Sequence, residues 1–101
     1  MTRKTIIING NNFSTLEGFY AEIDKVLTKG LDWKTGHNLN AFNDLLRGGF
    51  GIHEYEEPIK LIWQKSDKSK ADLNTLMEGE TIYEILVSII KEHHHIELIE
   101  I

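Results

Sequence analysis

Pro58-Ile59-Lys60-Leu61-Ile62-Trp63 decides the fold: it is a short β-branched run after a glycine-rich and acidic stretch, and such a run is expected to form a β-strand. Two runs of similar length and kind, Lys4 to Ile8 near the start and Ile96 to Ile101 at the end, predict two more strands. The sequence between them is helical in period and too long for hairpins. The strands are therefore expected to run parallel, joined by right-handed crossovers. The expectation is a small α/β fold, one domain over residues 1–101, without internal repeats or low-complexity segments.

The connecting segments carry their own boundaries. Ser14-Thr15-Leu16-Glu17 has the capping-box spacing, a hydroxyl followed three residues on by a glutamate, and predicts a helix start. Leu16, Phe19, Tyr20, Ile23, Val26 and Leu27 then lie on one stripe, with Glu17, Glu22, Asp24 and Lys25 turned mostly to water and Gly30 as the C-terminal stop. A second helix fits Leu39 to Arg47, with Leu39, Phe42, Leu45 and Leu46 inward and Asn40, Asn43, Asp44 and Arg47 outward. Gly48-Gly49 closes it, and Gly48 to Glu57 reads as a loop, long for so small a fold. Gln64 to Asn74 holds a helical turn ending near Leu73. Thr81 to Glu92 carries Ile82, Ile85, Leu86, Ile89 and Ile90 at helical spacing, widened by Tyr83 and Val87, and so packs on the sheet.

Composition narrows the function. Eleven Lys and Arg against sixteen Asp and Glu give a formal charge of −5, and no basic run is present, which argues against direct nucleic-acid binding. With no cysteine there is neither a disulfide framework nor a thiolate nucleophile. The apolar run after Lys4 stops at Asn9-Gly10, too short for a signal peptide or a membrane span, so a cytoplasmic location is expected. His93-His94-His95 is followed by a strand pattern and is no terminal tag; consecutive residues point in different directions, so a solvated loop is expected there and not a metal site. Gly48-Gly49-Phe50-Gly51 lacks the Gly-Lys-Ser/Thr ending of a phosphate-binding loop. No cofactor is expected.

One concentration of polar and aromatic residues remains. Asn40 and Asp44 are one helical turn apart and Asn43 lies beside them, with Trp33 and Lys34 before the helix and Phe50, Glu54, Tyr55, Glu56 and Glu57 after it. Aromatic anchors around a charged helix face suit a protein interface, and Trp33 is expected to be partly exposed. An enzyme would need His37 or His53 to converge with Asp44 in a pocket, and no nucleophile elbow accompanies them.

Ile8-Asn9-Gly10, then Phe13-Ser14-Thr15-Leu16-Glu17-Gly18-Phe19-Tyr20, and above all Gly36-His37-Asn38-Leu39-Asn40-Ala41-Phe42-Asn43-Asp44-Leu45-Leu46-Arg47-Gly48-Gly49-Phe50-Gly51, resemble the barstar family of cytoplasmic inhibitors of barnase-type ribonucleases. The resemblance continues through Leu61-Ile62-Trp63-Gln64-Lys65-Ser66 to the last helix and strand. It implies a three-stranded parallel sheet with flanking helices and a non-catalytic protein, monomeric when free, that binds one ribonuclease. In such a complex the second helix and its adjoining loops plug the active site, and a helix aspartate, here Asp44, stands in for a substrate phosphate.

With the polar helix face, the resemblance implies a partner-binding set of Trp33, Lys34, Asn38, Asn40, Asn43, Asp44, Arg47 and Gly48; the length and charge of the loop after the helix, and not the resemblance, suggest a further contribution from Phe50, Glu54, Glu56 and Glu57. The chain departs from the family pattern in places. Asn40 replaces a further acid, Trp33, Lys34 and Thr35 occupy a region that carries a tyrosine, Asn43 and Gly49 stand at aromatic positions, and Ser88 aligns with a carboxylate of the last helix. The ribonuclease is expected to be either the cell's own secreted enzyme or a toxin domain against which the chain gives immunity. The alternative is a binding module on the same scaffold with a partner that is not a ribonuclease.

Overall fold

The computed structural model describes residues 4–27, 38–47 and 57–101. β1 (Lys4–Asn9), β2 (Ile59–Gln64) and β5 (Ile96–Glu100) form a parallel sheet in the order β1-β2-β5, with Ile6 opposite Leu61 and Leu61 opposite Leu98. α1 (Leu16–Leu27) and α2 (Leu39–Arg47) lie between β1 and β2 in the chain, and α3 (Ser66–Asp72) and α4 (Ile82–Lys91) between β2 and β5. The expected strands and helices are present, within a residue or two at their ends. A short antiparallel hairpin, β3 (Leu76–Met77) with β4 (Glu80–Thr81), precedes α4 and was not foreseen. Its turn residues Glu78 and Gly79 both have positive φ, 53° and 89°, the twist that a two-residue hairpin turn requires.

Alternation along the strands puts Ile6, Ile8, Ile59, Leu61, Trp63 and Ile96 on one face, all buried, and the described helices pack there. The opposite face carries Ile7, which is 43% exposed, and Ile62, half-buried. Trp63 sits at the centre of the core. Its indole stacks on Phe19 at 5.2 Å and meets Tyr83 at 4.9 Å, while its Nε1 donates to Ser69 Oγ at 2.9 Å, so the polar atom of a fully buried ring is satisfied.

The end of β1 is built around an approach that only glycine permits. A Cβ on Gly10 would stand 2.6 Å from the Gln64 carbonyl oxygen. Beside it, Asn9 caps the 3₁₀ turn Gly10–Asn12 by accepting from Asn11 N at 3.0 Å. Lys68 on α3 donates to the carbonyls of Gly10 and Phe13 and pairs with Asp72 at 2.6 Å, tying α3 to this turn.

Two expectations for α1 are corrected. The cap is Thr15, whose Oγ1 accepts from Gly18 N at 3.1 Å; Ser14 instead receives a hydrogen bond from Lys68. Glu22 and Asp24, expected in water, are buried. Glu22 accepts from Asn9 N and from Asn12 Nδ2, each at 3.0 Å, and Lys25 Nζ lies 3.5 Å away, so its carboxylate fastens α1 to the end of β1.

Candidate functional site

The polar face singled out by spacing belongs to α2, and local sequence explains why the helix starts where it does. Asn38 Oδ1 accepts from Ala41 N at 2.8 Å while its carbonyl accepts from Phe42 N at 3.0 Å, so Asn38 is the N-cap. Phe42, Leu45 and Leu46, each no more than 2% exposed, drive the inner stripe into the core, and Phe42 meets Phe19 edge to face at 5.2 Å. Leu39 is half-buried against the same cluster. The opposite side then presents Asn40 and Asp44 to solvent, as the spacing predicted.

Asn43 departs from that expectation. It is half-buried, and its Oδ1 accepts from His93 Nε2 at 2.6 Å. The neighbouring turn is held in the same way, with His95 Nε2 donating to the Leu46 carbonyl at 2.9 Å. His93 and His95 are therefore not left to solvent as expected, whereas His94 between them is exposed. His95 is buried, its ring meets His93 edge to face at 5.6 Å, and its own carbonyl accepts from Ile59 N. This packing couples α2 to the segment between α4 and β5, almost fifty residues away in sequence. A run of three histidines signals nothing of the kind, because the partners are a helix-terminal carbonyl and an amide supplied by the fold.

Other predicted residues are placed less fully. Glu57 is half-buried, and its carboxylate lies 3.7 Å from Lys4 Nζ at the edge where the strands begin. Arg47 ends α2, but its side chain lies outside the described residues, as do Trp33, Lys34, Gly48, Phe50, Glu54 and Glu56. Gly30, His37 and His53 also fall outside them. Ser88 is exposed on α4 and borders a shallow cavity with Lys70, Tyr83, Glu84, Lys91 and Glu100; none of the predicted partner-binding residues lines it.

In that cavity the Tyr83 hydroxyl donates to the Glu100 carboxylate. Burial first, then the hydrogen bond to Glu100 and its charge, push the phenol above its ordinary value. Glu84 is held below the usual carboxylate range first by the backbone N–H of Thr81 and then by its hydroxyl, and Glu84 N returns a bond to Thr81 Oγ1 at 3.1 Å to complete the α4 capping box. Among the described residues no three His, Asp or Glu side chains converge as metal ligands, and no helix is long and apolar enough to cross a membrane.

The arrangement offers a rigid surface bearing a carboxylate and carboxamides. A comparison with known families matches the chain over residues 3–96 to the family described as Barstar (barnase inhibitor). A comparison with curated proteins finds no match.

Proposed function

The chain belongs to the barstar family, and from that premise we propose that it inhibits a barnase-type ribonuclease by inserting α2 and its flanking loops into the enzyme's active site, one inhibitor to one enzyme. The observation that carries this reading is Asp44: an exposed carboxylate on a helix whose other side, Phe42, Leu45 and Leu46, is locked in the core. A site that cleaves RNA is cationic because it must hold a phosphodiester. A carboxylate on a preorganised helix offers the same sign of charge with little left to order on binding.

Asn40 and Asn43 flank Asp44 as uncharged hydrogen-bonding groups, so the binding face holds less charge than one with an acid at both ends of the turn. The net charge of −5 favours encounter with a basic enzyme. Glu54, Glu56 and Glu57 would add to that steering from the loop after α2, and Trp33, Lys34, Asn38, Arg47, Gly48 and Phe50 complete the proposed contact set. The enzyme is the cell's own secreted ribonuclease or a ribonuclease toxin; one inhibitor surface serves both, and the chain acts in the cytoplasm without catalysis of its own.

The test is inhibition of RNA cleavage by a panel of barnase-type ribonucleases, at low and high salt, with wild-type protein and Asp44→Ala. Stoichiometric inhibition that the substitution weakens supports the reading. Neutralising Glu54, Glu56 and Glu57 together should slow association and flatten its salt dependence. Failure to inhibit any member of a broad panel refutes the ribonuclease reading and leaves the scaffold to a different protein partner.

A further inference from the structure

Two acceptors on the C-terminal turns of α2, the Leu46 carbonyl and the Asn43 amide oxygen, are met from outside the helix by imidazoles. The last four carbonyls of any α-helix lack intrahelical partners, and the Leu46 carbonyl is one of these. Here His95 Nε2 donates to it at 2.9 Å from a buried ring. One turn earlier, His93 Nε2 donates to Asn43 Oδ1 at 2.6 Å. The two rings brace each other edge to face, and the His95 carbonyl is itself fixed by Ile59 N at the start of the central strand. The path from sheet to helix is therefore short and made of hydrogen bonds with defined donors.

We propose that His93 and His95 are positioning residues for α2: they clamp its C-terminal turn to the sheet edge and fix the orientation of Asn43 beside Asp44. The proposal rests on the reading of α2 as the inhibitory element. It goes beyond that reading in naming what holds the element still and what Asn43 offers a partner. With Oδ1 engaged by His93, the amide nitrogen of Asn43 has no partner among the described residues. The group it presents is thus a pair of N–H donors, suited to a carbonyl or carboxylate of the bound enzyme and not to one of its cationic groups. Asp44 and Asn43 then ask for opposite chemistry from adjacent points on the partner, which is a specificity determinant as well as an anchor.

Both bonds require hydrogen on Nε2. Each ring donates from that atom in the neutral Nε2–H tautomer and in the imidazolium, but not in the Nδ1–H tautomer. The first test therefore uses the free chain and no enzyme. Nitrogen-15 spectra of the imidazoles, at a pH where the rings are neutral, should show the Nε2–H form for His93 and His95. The Nδ1–H form at both positions overturns the proposal.

The second test compares His95→Phe and His93→Phe, which keep a planar ring and lose the donor, with His95→Gln and His93→Gln, which keep an N–H donor at similar reach. In the free chain, amide exchange at the end of α2 should quicken on the order of tenfold in the Phe variants, beyond any change in global unfolding, and return toward wild type in the Gln variants. Against a ribonuclease that wild type inhibits, dissociation should quicken by a similar factor with the same rescue. Phe and Gln variants that behave alike in both assays refute the clamp. Should no ribonuclease be inhibited at all, the function proposed above falls, while tautomer and exchange still decide whether the clamp exists.

Discussion

Replacing Asp44 by alanine should separate binding from folding. In the free chain the residue is exposed near the C-terminal end of α2, where a negative charge opposes the helix dipole. Alanine relieves that and raises helix propensity by about 0.5 kcal/mol. Against these stands loss of whatever surface pairing the carboxylate makes, about 0–1 kcal/mol. Stability in urea should therefore move by no more than about 1 kcal/mol in either direction. Binding is a different case, because a carboxylate about 4 Å from one cation at an effective dielectric near 20 gains about 4 kcal/mol. That corresponds to about a thousandfold in affinity for a single cation, and more where two converge.

The assay is the inhibition constant for an enzyme that wild type titrates stoichiometrically, with urea unfolding of the same samples. Asp44→Asn keeps the shape and loses the charge, and should fall nearly as far as alanine. Raising salt should weaken wild type more than either variant, since the charge that is screened is the one removed. An inhibition constant within a few-fold of wild type for both variants would refute the reasoning, as would a loss of stability large enough to account for the lost binding.

Glu22→Ala removes the acceptor of both Asn9 N and Asn12 Nδ2 in a buried setting, and should cost about 2–3 kcal/mol of unfolding free energy by urea titration. Tyr83→Phe should cost about 1–2 kcal/mol at neutral pH through loss of the hydrogen bond to Glu100. Because the phenol is raised above its unfolded value near 10, the stability it brings is complete below that pH and is lost as pH rises through the native value; the alkaline decline of wild type should be shallower in the variant. Glu84 shifts the other way. Its lowered native value makes its contribution complete above its ordinary 4.5 and lost as pH falls through the native value, so Glu84→Gln should flatten the acid limb of thermal unfolding.

The strands and α2 were legible because their signals are local. Short β-branched runs mark Lys4–Asn9 and Ile59–Gln64, and the amphipathic spacing of Leu39, Phe42, Leu45 and Leu46 bounds α2 at the residues where the helix begins and ends. What escaped is what depends on a distant element. Glu22 sits at the flank of a helical stripe that ordinarily faces water, and only the N–H groups at the end of β1 draw it inward. His93 and His95 read as loop residues until α2 supplies acceptors for them. The β3–β4 hairpin was missed because its strands have two residues each and its turn is Glu78-Gly79, without the asparagine or aspartate that usually announces such a turn. The shift of the α1 cap by one residue has a simpler origin, since Ser14 and Thr15 are both hydroxyl residues and only the backbone path chooses between them.

A helix of nine residues is too short to hold its shape in water by itself, so the geometry of Asp44 is set by what surrounds α2 and not by α2. Asn38 closes the N-terminus, Phe42 keys the middle against Phe19, and His93 and His95 meet the last turns. On the proposed reading, inhibition by a preorganised carboxylate thus depends also on Phe42, His93 and His95, which lie outside the proposed contact set. Substitutions fall into two kinds on this account: Phe42→Ala should lower stability by about 3–5 kcal/mol and weaken inhibition with it, whereas Asp44→Ala should weaken inhibition alone. A Phe42→Ala protein that unfolds readily yet inhibits as tightly as wild type would mean that the enzyme itself folds α2 on binding, and would move the source of affinity from preorganisation to the complex.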